Sequence, residues 1–307
     1  MSAPPLPACT LRCPAKINLT LRVLGVRADG LHELESLVAQ IDLCDELSIT
    51  PQEDGRYWFD CDDPTLPDDG SNLVLQAARA LARAAGINRG ADFVLKKRIP
   101  AGAGLGGGSS DAAATLRALN TLWGLNLPNE RLHALAATLG SDVPLFLGPP
   151  LCAIRGRGEI VEPVEARLDA WCVLALPGIH CATPAVYRAW DRLASNRASA
   201  ESPAPTAGKP LSPALSDVLA VLDRPGELMK RLANDLEPAA FTVAPELETL
   251  HARAANVADG PVRMSGSGSA LFRLVGSRAQ AEALAGRLRD ALGVRVEVAR
   301  TLNSPRA

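Results

Sequence analysis

Five of the seven residues from position 102 to position 108 are glycine, within the run Ile99-Pro-Ala-Gly-Ala-Gly-Leu-Gly-Gly-Gly-Ser-Ser-Asp. A strand is expected just before it, at 91–95, and a helix just after it, at 109–123, with Leu116, Leu119 and Leu122 at helical spacing. Glycines let the backbone turn tightly and bring its N–H groups to an anion with no Cβ in the way. A helix start adds unpaired N–H groups and a partial positive charge. Pro100, Ala101, Gly102, Ala103, Gly104, Leu105, Gly106, Gly107, Gly108, Ser109 and Ser110 therefore read as a phosphate cradle. A linker does not run straight from a strand into a strongly patterned helix. Gly102, Gly104 and Gly107 satisfy G-x-G-x-x-G, but the acidic ribose partner of a dinucleotide site is missing about 20 residues on, where Leu127 sits among Asn126, Pro128 and Asn129. No Lys-Ser/Thr follows the glycines, so the loop is not a Walker A loop either.

The rest of the chain reads as a mixture of strands and helices. Strands are expected at 17–23, 37–43, 46–50, 57–61, 151–154, 171–176, 262–264, 270–275 and 294–298. Helices are expected at 72–85 (stopped by Gly86), 129–139 (ended by Gly140), 215–222, 246–256 and 278–292. Strands gathered early and mixed with helices later predict an α+β protein of two lobes with a cleft between them. The Ala-, Ser- and Pro-rich stretch 198–213 cannot supply a core and reads as a mobile loop.

Composition narrows the function classes. A formal net charge of -2 gives no broad attraction to nucleic acid or to an anionic membrane, and 4% aromatic residues leave few stacking platforms. Lys96, Lys97 and Arg98 are the best local basic patch. The 7 cysteines are odd in number and lack C-x-x-C spacing, which suits reduced thiols in a cytoplasmic protein. The 4 histidines are scattered, so no zinc site is expected. Residues 1–10 lack a signal pattern, and no apolar run approaches the ~18–20 residues that span a bilayer.

Several polar residues stand out, each with a plainer reading beside it. Asp142, in Gly140-Ser-Asp-Val-Pro, has the chemistry to take a hydroxyl proton during phosphoryl transfer, although spacing alone favours a turn or cap before Pro144. Lys16 and Asn18 alternate with Ile17 and Leu19 and share one strand face, which is either solvent or the neighbourhood of a phosphate. His32 follows an Asp-Gly turn and is either exposed or a ligand contact. Ser265, Gly266, Ser267 and Gly268 make either a second anion-binding turn or a plain hairpin turn.

Taken in order, five segments resemble the motifs of the GHMP kinases, named for galactose, homoserine, mevalonate and phosphomevalonate. They are Pro14-Ala-Lys-Ile-Asn-Leu, Arg27-Ala-Asp-Gly-Leu-His-Glu-Leu, the glycine loop with its Pro100, Gly140-Ser-Asp-Val-Pro, and Ser265-Gly-Ser-Gly-Ser-Ala. The likeness runs from about Cys13 to about Val298. It implies an N-terminal lobe like ribosomal protein S5 domain 2 over 1–165 and a ferredoxin-like C-terminal lobe over 166–307. It also implies ATP with Mg²⁺, whose protein ligands stay unassigned. The first two segments are similar to those of the member that phosphorylates the 2-hydroxyl of a cytidine diphosphate-linked methylerythritol.

On that resemblance Lys16 and Asp142 are the catalytic lysine and base, and Asn18 positions the acceptor hydroxyl. Asn72 and Lys97 line the adenosine pocket. His32 reads the cytosine edge, with Thr183 and Tyr187 from the second lobe beside it. The implied partner is one small molecule, with no nucleic acid or membrane, acting on a monomer or homodimer. Leu31 stands where the family usually has Tyr or Phe, which removes one stacking face from the cytosine. The rivals are a member acting on another alcohol, such as homoserine or mevalonate, and a non-catalytic nucleotide or RNA binder on the same fold.

Overall fold

The computed structural model describes residues 8–194 and 211–303, so most of the stretch expected as a loop, 198–210, lies outside the described residues. The remainder is α+β, as expected, with an eight-stranded and a four-stranded sheet among the described residues.

The first sheet is organised by one long strand. After β1 (Cys9–Asn18) and β2 (Thr20–Val26), β3 (His32–Gln52) runs for 21 residues. The sequence predicts two strands there and a single one over 17–23. Instead the chain breaks at Leu19 and continues through Asp42 and Asp45. One edge of β3 pairs with β1 and β2, the other with β5 (Gly90–Lys96) and β6 (Leu151–Gly156), all antiparallel. The outer strands are β4 (Tyr57–Cys61) beside β5 and β7 (Ile160–Pro163) beside β6.

An irregularity between Pro14 and Ala15 shifts the register against Ile41 and Cys44. A bulge re-aims the side chains that follow it. Cys13, Leu47 and Ile49 accordingly belong to one core, whereas Ala15, Ile17, Leu37, Ala39 and Ile41 belong to another. Three helices close the first core: α1 (Leu73–Ala85), α2 (Gly107–Leu122) and α3 (Asn129–Leu139). Asn72 caps α1 through a 2.9 Å bond from the Val74 amide, and Gly86 ends it in the left-handed region. The small side chains of Ala112, Ala113 and Ala114 are buried on successive sides of α2, which lets it pack closely among α1, α3 and the sheet.

The second sheet has the order β10-β11-β8-β12, from β8 (Trp171–Leu176), β10 (Arg263–Met264), β11 (Leu271–Val275) and β12 (Arg295–Arg300). Helices α4 (Thr183–Ala194), α7 (Glu237–Val243), α8 (Pro245–Ala258) and α9 (Arg278–Leu292) contribute to its outer core. Two short helices, α5 (Pro213–Leu219) and α6 (Pro225–Arg231), pack into the core that lies between the sheets. That central core joins Ile17, Leu37 and Ile41 to Cys172, Leu174 and Phe272. A two-residue strand, β9 (Ala233–Asn234), pairs with β2 in the first sheet. Among the described residues no helix is long and apolar enough to cross a membrane, and all seven cysteines are free thiols.

Candidate active site

The glycine segment connects β5 to α2, which starts at Gly107, two residues before the helix expected from the sequence. Three consecutive carbonyls anchor it. Ala103 accepts from the Ala270 amide at 3.1 Å, Gly104 from Ser265 Oγ at 2.9 Å, and Leu105 from the Lys16 amide at 2.9 Å. A side chain at position 104 would stand 2.1 Å from the Ser265 carbonyl oxygen, and φ there is +76°. At position 106 it would meet the Phe146 ring at 2.9 Å and Lys16 Cγ at 3.2 Å. The glycines thus admit close neighbours and do not serve as a slack tether. Among the described residues no amide from Gly102 to Ser109 donates a hydrogen bond to the protein. These are eight consecutive free donors at the positive end of a 16-residue helix.

A cavity lies on each side of this segment. The first, of about 360 Å³, is bounded by Leu66, Pro67, Leu73, Val74 and Leu95, with Asn72 and Lys97 as polar walls. Asn72 already uses both ends of its amide, since Nδ2 donates to the Pro67 carbonyl at 2.8 Å, so it shapes the wall. The Lys97 ammonium is held by Asp45 at 2.5 Å and Asp111 at 3.1 Å. Burial opposes its charge, but the two carboxylates outweigh burial and raise its pKa. Burial also lifts the Asp111 carboxyl to about 7, with Asp45 adding to the rise and Lys97 opposing it. Asp45 accepts from the amides of Arg98 at 2.6 Å and Ile99 at 2.8 Å, which fixes the chain leading into the glycines.

The second cavity, of about 350 Å³, shares Gly102, Gly104, Gly106 and Ser109 with the first. Its other walls include Lys16, Asn18, Ser36, Asp142, Arg157, Thr183, Tyr187 and Ser267. Lys16 is buried there, with Nζ 2.6 Å from Asn18 Oδ1 and 3.5 Å from Asp142 Oδ2. Asn18 in turn donates to Ser36 Oγ at 2.9 Å, and Ser36 donates to the Thr20 carbonyl. Polar side chains on adjacent strands thereby fix the ammonium, while the Asp142 side chain keeps 37% of its surface open to the cavity. The turn after α3 carries Asp142 to this point.

Thr183 bonds Ser267 through their hydroxyls at 2.8 Å, linking α4 to the second glycine-serine turn. That turn packs on the first glycine segment through Ser265, and Asn234 braces it with bonds to the carbonyls of Met264 at 2.9 Å and Gly266 at 2.8 Å. Burial, then the nearby Asp142 charge, raises the Tyr187 phenol well above its ordinary pKa. His32 stands behind the cavity wall, its ring 4.6 Å from that of Tyr187 and 5.6 Å from that of Trp190. Its Nε2 is 2.7 Å from Asp191 Oδ1. Leu105 and Ser110 line neither cavity: the Leu105 side chain lies in the central core, and the Ser110 hydroxyl is buried without a partner. Sequence reasoning passed over Asp45, Asp111, Arg157, Asn234 and Asp191, because each owes its place to a partner distant in the chain.

A strand-to-helix cradle of free amides, flanked by a cavity on each side and served by a buried lysine and an accessible carboxylate, defines a small-molecule kinase. The family description "GHMP kinases N terminal domain" matches residues 72–148, and "GHMP kinases C terminal" matches residues 218–293. The chain belongs to the GHMP kinase family. A protein of Paramagnetospirillum magneticum named 4-diphosphocytidyl-2-C-methyl-D-erythritol kinase is 40% identical over 282 residues, 91% of this chain and 93% of the relative. A protein of the same name from Parvibaculum lavamentivorans is 42% identical over 87% of this chain and 89% of its own length. A crystal structure of 4-(cytidine 5'-diphospho)-2C-methyl-D-erythritol kinase superposes with a TM-score of 0.77 at 37% identity, covering 95% of this chain and 99% of the other.

Proposed function

We propose that the enzyme transfers the γ-phosphoryl group of ATP to the 2-hydroxyl of 4-diphosphocytidyl-2-C-methyl-D-erythritol. The observation that carries this reading is the pair of cavities sharing one wall of unpaired amides, with Lys16 and Asp142 in only the second. The nucleoside of ATP occupies the first cavity, and its phosphates lie along residues 102–109 at the start of α2. The acceptor occupies the second, its cytosine toward Tyr187 and His32 and its hydroxyl toward Asn18 and Asp142. The acceptor cavity draws Lys16, Asn18 and Asp142 from the lobe ending near 165 and Thr183 and Tyr187 from the lobe that follows.

Asp142 accepts the hydroxyl proton as the oxygen bonds to the γ-phosphorus. The bond from that phosphorus to the bridging oxygen breaks and its electron pair leaves with ADP. Lys16, held by Asn18, orients the carboxylate and offsets the charge gathering between the two substrates. The Ser109 hydroxyl, on the wall common to both cavities, would be a side-chain ligand for a magnesium ion bound with the nucleotide, which would screen the phosphate charge. The enzyme acts in the cytoplasm on a small molecule, without nucleic acid or membrane as partner.

The test is coupled detection of ADP with the diphosphocytidyl acceptor, mevalonate and homoserine offered separately. Turnover is expected with the first alone. Faster turnover with either of the other two overturns the choice of acceptor.

A further inference from the structure

A second cation faces the acceptor cavity, and the reaction described above gives it no task. Arg157 sits on the turn between β6 and β7 and lines the same cavity as Asp142. Gly156 and Gly158 flank it with φ of +72° and +115°. A side chain at position 158 would lie 3.4 Å from Ser141 Cβ and 3.7 Å from Asp142 Oδ1, so this turn rests directly on the one that carries the carboxylate.

Among the described residues the Arg157 guanidinium makes one hydrogen bond, from Nη2 to the Ala137 carbonyl at 3.1 Å, and no ion pair. Its neighbour Glu159 accepts from the Arg157 backbone amide at 2.7 Å and turns its other oxygen toward Arg27 at 3.8 Å. The other cation of the cavity, Lys16, is committed to Asn18 and Asp142. Among the described residues Arg157 therefore stands on the cavity wall with no carboxylate within ion-pair distance of its guanidinium.

We propose that Arg157 holds the diphosphate of the acceptor, and so selects nucleoside diphosphate-linked alcohols over free ones. The inference rests on the acceptor class proposed above. A diphosphate brings about two negative charges into a space that already contains the Asp142 carboxylate, and that repulsion must be offset locally. A guanidinium matches two phosphate oxygens with a rigid planar fork of N–H donors, a geometry that an ammonium lacks. Arg157 lines only the acceptor cavity, not the one given to ATP, which puts it on the acceptor's side of the shared wall and away from the nucleoside of ATP. A free alcohol leaves the guanidinium facing the cavity without its anion.

The experiment compares the wild type with Arg157→Gln and Arg157→Lys, using CDP and cytidine as ligands in calorimetry and measuring KM for ATP and the acceptor. Glutamine keeps a donor for the Ala137 carbonyl while removing the charge. The wild type is expected to bind CDP more tightly than cytidine. Arg157→Gln should cut that advantage by about 10- to 100-fold and raise acceptor KM to match, with cytidine affinity, ATP KM and melting temperature unchanged. Arg157→Lys should restore part of the loss. An unchanged CDP-to-cytidine ratio in Arg157→Gln overturns the proposal, as does an equal loss for both ligands, which would mark a purely structural role. A fall in kcat with acceptor KM intact overturns it too, by moving Arg157 to the transferred phosphoryl group. A wild type that binds neither ligand sinks the acceptor class itself, whereas a CDP-selective wild type indifferent to residue 157 sinks only this inference.

Discussion

Lys16 and Asp142 differ sharply in exposure, at 6% and 37% of their side-chain surface, although they lie 3.5 Å apart. The lysine is locked by Asn18 and the strands beneath it, while the aspartate remains reachable from the cavity. Asp142→Asn keeps the shape and removes the proton acceptor, so kcat should fall by about 10²- to 10⁴-fold while ATP KM changes little. Steady-state kinetics check this, and near-normal turnover removes Asp142 from the role of base. Leu31 is 41% exposed beside His32, at the position where the family resemblance implies an aromatic ring. Base stacking is worth ~1–3 kcal/mol, so Leu31→Tyr should lower acceptor KM by at least about fivefold without altering kcat. An unchanged KM would place the cytosine elsewhere.

Among the elements, α2 carries the most chemistry, and its buried Asp111 makes stability depend on pH. A free aspartate titrates near 3.9, whereas in the folded protein burial lifts this carboxyl to about 7. Between those values the unfolded chain has lost its proton and the folded chain still holds it. Asp111 thus favours the fold below pH ~4, and that contribution is lost as pH rises through about 7. The melting temperature of the wild type relative to Asp111→Asn should therefore be higher at pH 5 than at pH 8. An equal difference at both would show that the carboxyl titrates like an exposed one.

The glycine segment was legible as a cradle because strand, glycines and helix are contiguous, and so was the α1 stop at Gly86. The unity of β3 was not, because Asp42 and Asp45 resemble a break. Asp45 is tolerated mid-strand by Lys97 and two amides from far along the chain. Helix α4 also escaped pattern reading, although Val186 and Ala189 mark its buried side. Position along the chain says little about which loops converge, so Arg157 gave no signal.

Over the whole molecule the central core matters most, since side chains from both sheets fill it. Phe272 is fully buried there with Ile17, Ile41 and Leu105. Phe272→Ala should cost ~3–5 kcal/mol and lower the single melting transition expected of a shared core. Two resolved calorimetric transitions would mean that the halves unfold independently.

A wall with a separate chamber on each face has a kinetic meaning as well. Neither reactant has to vacate its chamber before the other arrives, and no protein group has to store the phosphoryl group in between. Initial-rate lines for the two reactants should intersect and not run parallel, and phosphorus should invert its configuration once per turnover.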